Sequence, residues 1–186
     1  SGGATLSFDG DVAYKVSGTS GGDVITTYGG NDSIVSGAGN DVISSGAGVD
    51  TVVAGDGNDV VIISGKGSVS DVIDGGAGVD TLRVTGSDVD LSGATLTNIE
   101  NIEANSASLA LTQAQYNQYA SNISGTAGLI LKMTQPGGQA HEAIAHVAIQ
   151  RKIGRQADQP CLGLEVLDLK PRGTHADAQG LGLVAA

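Results

Sequence analysis

Between Gly18 and Arg83 an aspartate returns every nine residues, at Asp23, Asp32, Asp41, Asp50 and Asp59. The step to Asp71 is twelve, and the step to Asp80 is nine again. An aliphatic residue stands two places after each of them, as Ile25, Ile34, Ile43, Val52, Val61, Ile73 and Leu82. Self-similarity at a fixed short period is the mark of a solenoid and outranks any window-by-window reading of helix or strand. A triplet with one apolar side chain is a minimal strand that cannot stand alone, so successive rows must stack.

The rest of each row has its own chemistry. Glycines at alternate positions, Gly37 and Gly39, Gly46 and Gly48, Gly55 and Gly57, Gly76 and Gly78, permit positive φ and let carbonyls crowd together. The aspartate that follows adds carboxylate oxygens beside those carbonyls. This is the oxygen-rich, flexible donor set that a hard cation such as Ca²⁺ takes. A disordered glycine-serine linker has a similar composition but does not hold an aliphatic residue and an aspartate in fixed phase over seven rows. A metal-free solenoid with aspartate as a turn former leaves like charges stacked and unneutralised.

The rows resemble the nonapeptide G-G-x-G-x-D-x-U-x (U aliphatic) of bacterial RTX, or repeats-in-toxin, proteins. Row 75–83 satisfies every position; rows 36–44, 45–53 and 54–62 lack only the first glycine, replaced by Ser36, Ser45 and Ala54. Rows 18–26 and 27–35 are degenerate, and row 66–74 keeps only Asp71-Val72-Ile73. The resemblance implies an all-β fold, a parallel β-roll or β-solenoid with two rows per turn and several Ca²⁺ ions between turns. It implies that Asp23 shares an ion with Asp41, Asp32 with Asp50 and Asp41 with Asp59, with carbonyls near the eight glycines completing the shells. Asp80 belongs to the same set. The insertion in Ser64–Ser70 is expected to break register and leave the partner of Asp71 open. By the same scheme Asp41→Ala is expected to harm Ca²⁺ binding more than Asp80→Ala, because Asp41 serves two ions.

With 30 glycines among 186 residues and only 3% aromatics, a conventional globular core is not expected. The net charge of −11 argues against nucleic acid and anionic membranes as partners, and for an expanded metal-free chain. No apolar run is long enough to insert in a membrane, and the N-terminus lacks a basic-then-apolar signal. The Ser1 start points to a processed form or an excised fragment. A single cysteine, Cys161, excludes an internal disulfide.

Four segments are expected. Residues 1–17 read as cap strands, with Phe8 and Tyr14 packing the first turn, and residues 18–83 as the calcium-binding roll. Residues 84–133 read as a β-helix-like cap with a short helix. There Asp88-Val-Asp-Leu and Ala94-Thr-Leu-Thr-Asn-Ile-Glu-Asn-Ile-Glu103 space their aliphatics by two and three. Glu100 and Glu103 read as a solvated face. Thr112-Gln-Ala-Gln115 has the form of a capping box opening a helix to about Ser121, with Tyr116 and Tyr119 on one face. Such a cap would cover strand edges that invite aggregation.

Residues 134–186 form a tail whose composition differs. Residues 1–135 carry fifteen acidic and four basic groups, whereas residues 136–186 carry five of each and all three histidines. His141-Glu-Ala-Ile-Ala-His146 is one residue too long for a zinc-protease helix, because i and i+5 do not face one ion. Cys161 has no activating neighbour in sequence, and Leu162–Leu169 reads as a strand. The tail has the position and length of a C-terminal type I secretion signal; the alternatives are a separate docking segment or a stretch that does not belong to the natural fold.

The expected function is that of a secreted, extracellular calcium-binding module of bacterial origin, without catalysis of its own. It would fold on Ca²⁺ after export and serve a structural role at the cell surface, matrix or surface layer. Calcium, self-association through the solenoid ends and cell-surface components are the expected contacts. The alternative is the C-terminal RTX domain of a secreted protease, lipase or toxin whose catalytic part lies elsewhere. An ice- or ligand-binding face would need one residue type ranked in every row, and Asn31, Asn40 and Asn58 are interrupted by Gly22, Val49 and Val79.

Overall fold

Each x-aliphatic-x triplet becomes one side of a coil turn, and the coil winds from Thr5 to Thr134. The structure, a computed structural model, describes residues 2–64, 67–68, 70–105, 108–125, 130–134 and 145–146. The first side is a seven-stranded sheet ordered Thr5–Asp11, Val24–Gly29, Val42–Ser44, Val60–Ile63, Thr81–Val84, Asn101–Ala104 and Ile123–Gly125. The second has five strands, Lys15–Ser17, Ser33–Ala38, Thr51–Asp56, Val72–Ala77 and Thr95–Thr97. Both are wholly parallel. The expected parallel β-solenoid is what the chain forms.

Register aligns one inward aliphatic side chain of each strand with that of the next. Leu6, Ile25, Ile43, Val61, Leu82, Ile102 and Ile123 lie in one ladder. Val16, Ile34, Val52, Ile73 and Leu96 face them in the other. From Ile25 to Ile102 and from Val16 to Ile73 these are buried. At about 1.5–3 kcal/mol for each buried aliphatic side chain, one or two per strand cannot offset the ordering of a strand. Stacking can, because each new turn covers the one before it. The small polar residues inside are satisfied along the stack: Thr27 Oγ1 donates to the Ser45 carbonyl at 2.7 Å, and Ser36 Oγ to that of Ala54 at 2.6 Å.

The insertion at Ser64–Ser70 does not break the stack, contrary to the sequence expectation. Val60 and Val61 pair with Thr81 and Leu82, and Thr51 and Val52 with Val72 and Ile73, a step of twenty-one residues in place of eighteen. The additional length supplies Gly67–Ser68, the first strand of a third sheet. Val89–Asp90, Ser108–Thr112 and Ile130–Thr134 continue it in parallel, and Ala145–His146 closes it antiparallel. The coil therefore changes from two sides to three, and Val89, Leu109 and Leu131 fill the widened interior.

Aromatic side chains pack at the first turn and beside the helix. Phe8 and Tyr14 pack with ring centroids 5.1 Å apart beside the first turn. At the other end the helix Gln113–Tyr119 opens with the Thr112/Gln115 capping box. Gln115 Nε2 also donates to the Leu91 and Ala94 carbonyls at 2.8 and 3.1 Å, fastening the helix to the coil. Tyr119 is buried and Tyr116 packs against the core. The zinc-like spacing around His141, Cys161 and the expected strand 162–169 lie outside the described residues, except for the backbone of Ala145–His146. Among the described residues no helix is long and apolar enough to cross a membrane.

Candidate metal centres

Two rows per turn place alternate aspartates in two columns, one at each bend. In the first, the backbone N–H of Asp23 donates to Asp41 Oδ1 at 2.7 Å, that of Asp41 to Asp59 at 2.8 Å and that of Asp59 to Asp80 at 2.8 Å. In the second, Asp32 donates to Asp50 at 2.8 Å and Asp50 to Asp71 at 2.9 Å. The three pairings expected from sequence are thus stacked neighbours. Asp71, left open there, stands beneath Asp50, because the inserted residues leave the spiral through the third side.

These hydrogen bonds use one oxygen of each carboxylate. The other, Oδ2 of Asp32, Asp41, Asp50, Asp59 and Asp80, is buried and has no hydrogen-bond donor among the described residues. A buried anionic oxygen without donor or counter-charge is costly. Repeating that cost in both columns is what a chain does when a cation supplies the missing charge. Among the described residues, no three His, Cys, Asp or Glu side chains converge; the carboxylates follow one another as stacked neighbours in an oxygen-rich surrounding. That set suits hard Ca²⁺ and not zinc.

The glycines bring backbone carbonyls close to one another at the bends. Gly37, Gly39, Gly46, Gly48, Gly55, Gly57, Gly76 and Gly78 have φ between 85° and 151°. The decisive case is Gly55, at φ 109°, where an added Cβ would run into the carbonyl oxygen of Gly37 one turn back. The carbonyl of one turn therefore projects into the bend of the next, where the carboxylates stack. The first row position is different: Ser36, Ser45 and Ala54 are buried and absent from the positive-φ residues. That is why a small residue replaces glycine there.

Burial pushes the carboxyls of Asp50, Asp59, Asp71 and Asp80 above the usual range, with neighbouring aspartates or Glu100 adding to the rise. Asp23 is the exception. It accepts from the Ala4 and Thr19 N–H groups and from the Thr19 hydroxyl, and these bonds lower its pKa. Thr19 thus occupies the oxygen that is left open in the later aspartates.

Sequence reasoning missed three parts of the arrangement. Asn40 Oδ1 accepts from Asn58 N–H at 2.9 Å, Asn58 Oδ1 from Val79 at 2.8 Å and Asn31 Oδ1 from Val49 at 3.0 Å. These asparagines brace bend to bend, and the interrupting valines are their partners. Thr19 closes the start of a column. Glu100, expected to face solvent, accepts the Asp80 N–H at 2.7 Å, while Glu103 pairs with Arg83 at 2.8 Å. The signal for Glu100 was present in its spacing, two residues before Ile102 as each aspartate precedes its aliphatic residue.

Residues 17–52, 26–61 and 67–88 match the family described as the RTX calcium-binding nonapeptide repeat (four copies). No curated protein and no solved structure matches the chain. The matched residues are those of the two-column coil, with its unpartnered carboxylates and glycine bends, and over them the chain carries RTX calcium-binding nonapeptide repeats.

Proposed function

We propose that the chain is an extracellular structural module that folds when Ca²⁺ enters its two aspartate columns. The observation that carries this reading is the set of buried, donorless Oδ2 atoms in both columns. One ion sits between each stacked pair: Asp23 with Asp41, Asp41 with Asp59, Asp59 with Asp80, Asp32 with Asp50, and Asp50 with Asp71. Carbonyls near the bend glycines complete each shell. Residues 18–83 hold these ions and residues 84–133 close the roll.

Extracellular calcium modules work at about 10⁻⁴–10⁻³ M, far above cytosolic levels. Inside a cell the columns stay charged and open, so the chain remains export-competent; outside, the ions neutralise them. Each site that binds only the folded state adds RT ln(1 + [L]/Kd), about 1.4 kcal/mol at ten times Kd, so several weak sites make folding steeply dependent on Ca²⁺. A rigid acidic rod that forms only outside the cell suits a surface, matrix or surface-layer component. The hydrodynamic radius in chelator and in millimolar Ca²⁺ tests the reading. Contraction with Ca²⁺ but not with Mg²⁺ is expected, and one radius in all three conditions contradicts it.

A further inference from the structure

The two columns have four ends, and three of them close on residues without a carboxylate. Register sets Ala4 beside Asp23, Tyr14 beside Asp32 and Ala94 beside Asp71. The fourth end is Glu100, whose Oε2 accepts the Asp80 N–H at 2.7 Å. This is the bond that joins successive aspartates within the columns.

The backbone around Glu100 repeats the row as well. Asn98, two places before it, has φ 50°, where Gly78, two places before Asp80, has φ 141°. Ile102, two places after it, pairs in register with Leu82, and both are buried. Asn98-x-Glu100-x-Ile102 thus follows Gly78-x-Asp80-x-Leu82 with two substitutions suited to it. Asparagine tolerates the left-handed region, and glutamate keeps the carboxylate.

The independent sign of a ligand is Asp80 itself. It is 1% exposed, and its Oδ2 has no hydrogen-bond donor among the described residues. The point that a Cβ would occupy on Gly75 lies 2.7 Å from Asp80 Oδ2 and against the Asn98 carbonyl oxygen, so both oxygens converge on one spot. Glu100 and Asn98 lie beyond residue 88, where the family match ends.

We propose that Asp80, Glu100 and the Asn98 carbonyl hold one further Ca²⁺-type cation, outside the nonapeptide repeats, at the junction of roll and cap. This rests on the reading that the columns bind Ca²⁺. The ion ties the last complete row to Asn101–Ala104, and thence to the helix end. Asn122 links the two, donating from its N–H to the Tyr119 carbonyl at 2.8 Å and from its amide to the Glu100 carbonyl at 2.9 Å. The cap then becomes part of the calcium-dependent unit.

Equilibrium dialysis against Ca²⁺ with the wild-type chain, Glu100→Gln and Glu100→Asp tests the site. Glutamine keeps an oxygen for the Asp80 N–H but removes the charge, and aspartate restores the residue of the repeat. Glu100→Gln is expected to bind one ion fewer than wild type, and Glu100→Asp the same number. An unchanged count and affinity in Glu100→Gln overturns the junction site and leaves the column sites standing. A wild-type chain that binds no Ca²⁺ overturns both. Should Glu100→Gln fail to fold, tyrosine-sensitised Tb³⁺ emission decides. Tyr119→Phe is expected to remove the component from this site, and emission indifferent to Tyr119→Phe overturns it.

Discussion

Asp41 lies between two carboxylates of its own kind: Asp23 donates its N–H to Asp41 Oδ1, and Asp41 donates its N–H to Asp59 Oδ1. Asp23 has a stacked carboxylate on one side only and is otherwise satisfied by Thr19 and Ala4. Asp41→Ala is therefore expected to remove ligands from two ions, costing about 3 kcal/mol in Ca²⁺-loaded stability at ten times Kd. Asp23→Ala should cost about half of that. Ca²⁺ midpoints of folding measure the difference, and equal midpoints contradict ligand sharing. The sequence alone places Asp80 at the weaker end; the structure puts Asp80 between Asp59 and Glu100, so Asp23 takes that role.

Gly55→Ala separates the bend positions from the first row position. At φ 109°, with the Gly37 carbonyl where the new Cβ must go, it is expected to destabilise by more than about 2 kcal/mol. Ala54→Gly, one residue earlier, loses a buried methyl and some chain stiffness, about 1 kcal/mol. Chemical denaturation in saturating Ca²⁺ measures both.

Without metal, acid should take the place of calcium. Asp50, Asp59, Asp71 and Asp80 have folded-state pKa values raised by burial, so protonation favours the folded chain. Their contribution is fully present below the ordinary aspartate value of about 3.9 and is lost as pH rises through the raised folded values. Asp23, lowered by its backbone hydrogen bonds, and Glu103, lowered by its hydrogen bond to Arg83, act in the opposite sense. Ellipticity in chelator is expected to become more β-like as pH falls through that window, and a flat profile contradicts it. In Ca²⁺ the proton competes with the metal, so the Ca²⁺ midpoint should rise on acidification.

Thr112→Ala tests whether the helix of the cap stabilises the coil without itself contributing a metal ligand. Removing the capping hydroxyl, which accepts the Gln115 N–H at 3.1 Å, is expected to cost about 1 kcal/mol and leave the number of bound ions unchanged. Thermal unfolding and dialysis against Ca²⁺ read the two quantities.

The coil was legible in sequence because its constraint is periodic. One inward aliphatic residue and one aspartate per nine residues leave no other way to bury the first and group the second. Residue pairs eighteen apart followed from the two rows per turn that the resemblance to RTX proteins implies. The fate of the insertion did not, since nothing local in Ser64–Ser70 says whether three added residues disrupt a turn or extend it. Only the continued pairing of Val60 with Thr81 decides it. Glu100 was obscured for another reason: its row keeps the spacing but changes both marker residues, glycine to asparagine and aspartate to glutamate. The bracing role of Asn31, Asn40 and Asn58 depends on which backbone N–H lies one turn away, which a linear pattern does not reveal.

The most direct test is far-UV circular dichroism at neutral pH during a titration from chelator into millimolar Ca²⁺, with Mg²⁺ as control. A cooperative passage from coil to β structure, driven by Ca²⁺ and not by Mg²⁺, is expected. A spectrum already β-rich in chelator and unchanged by Ca²⁺ would mean that the buried carboxylates tolerate one another without metal, and would contradict the folding switch.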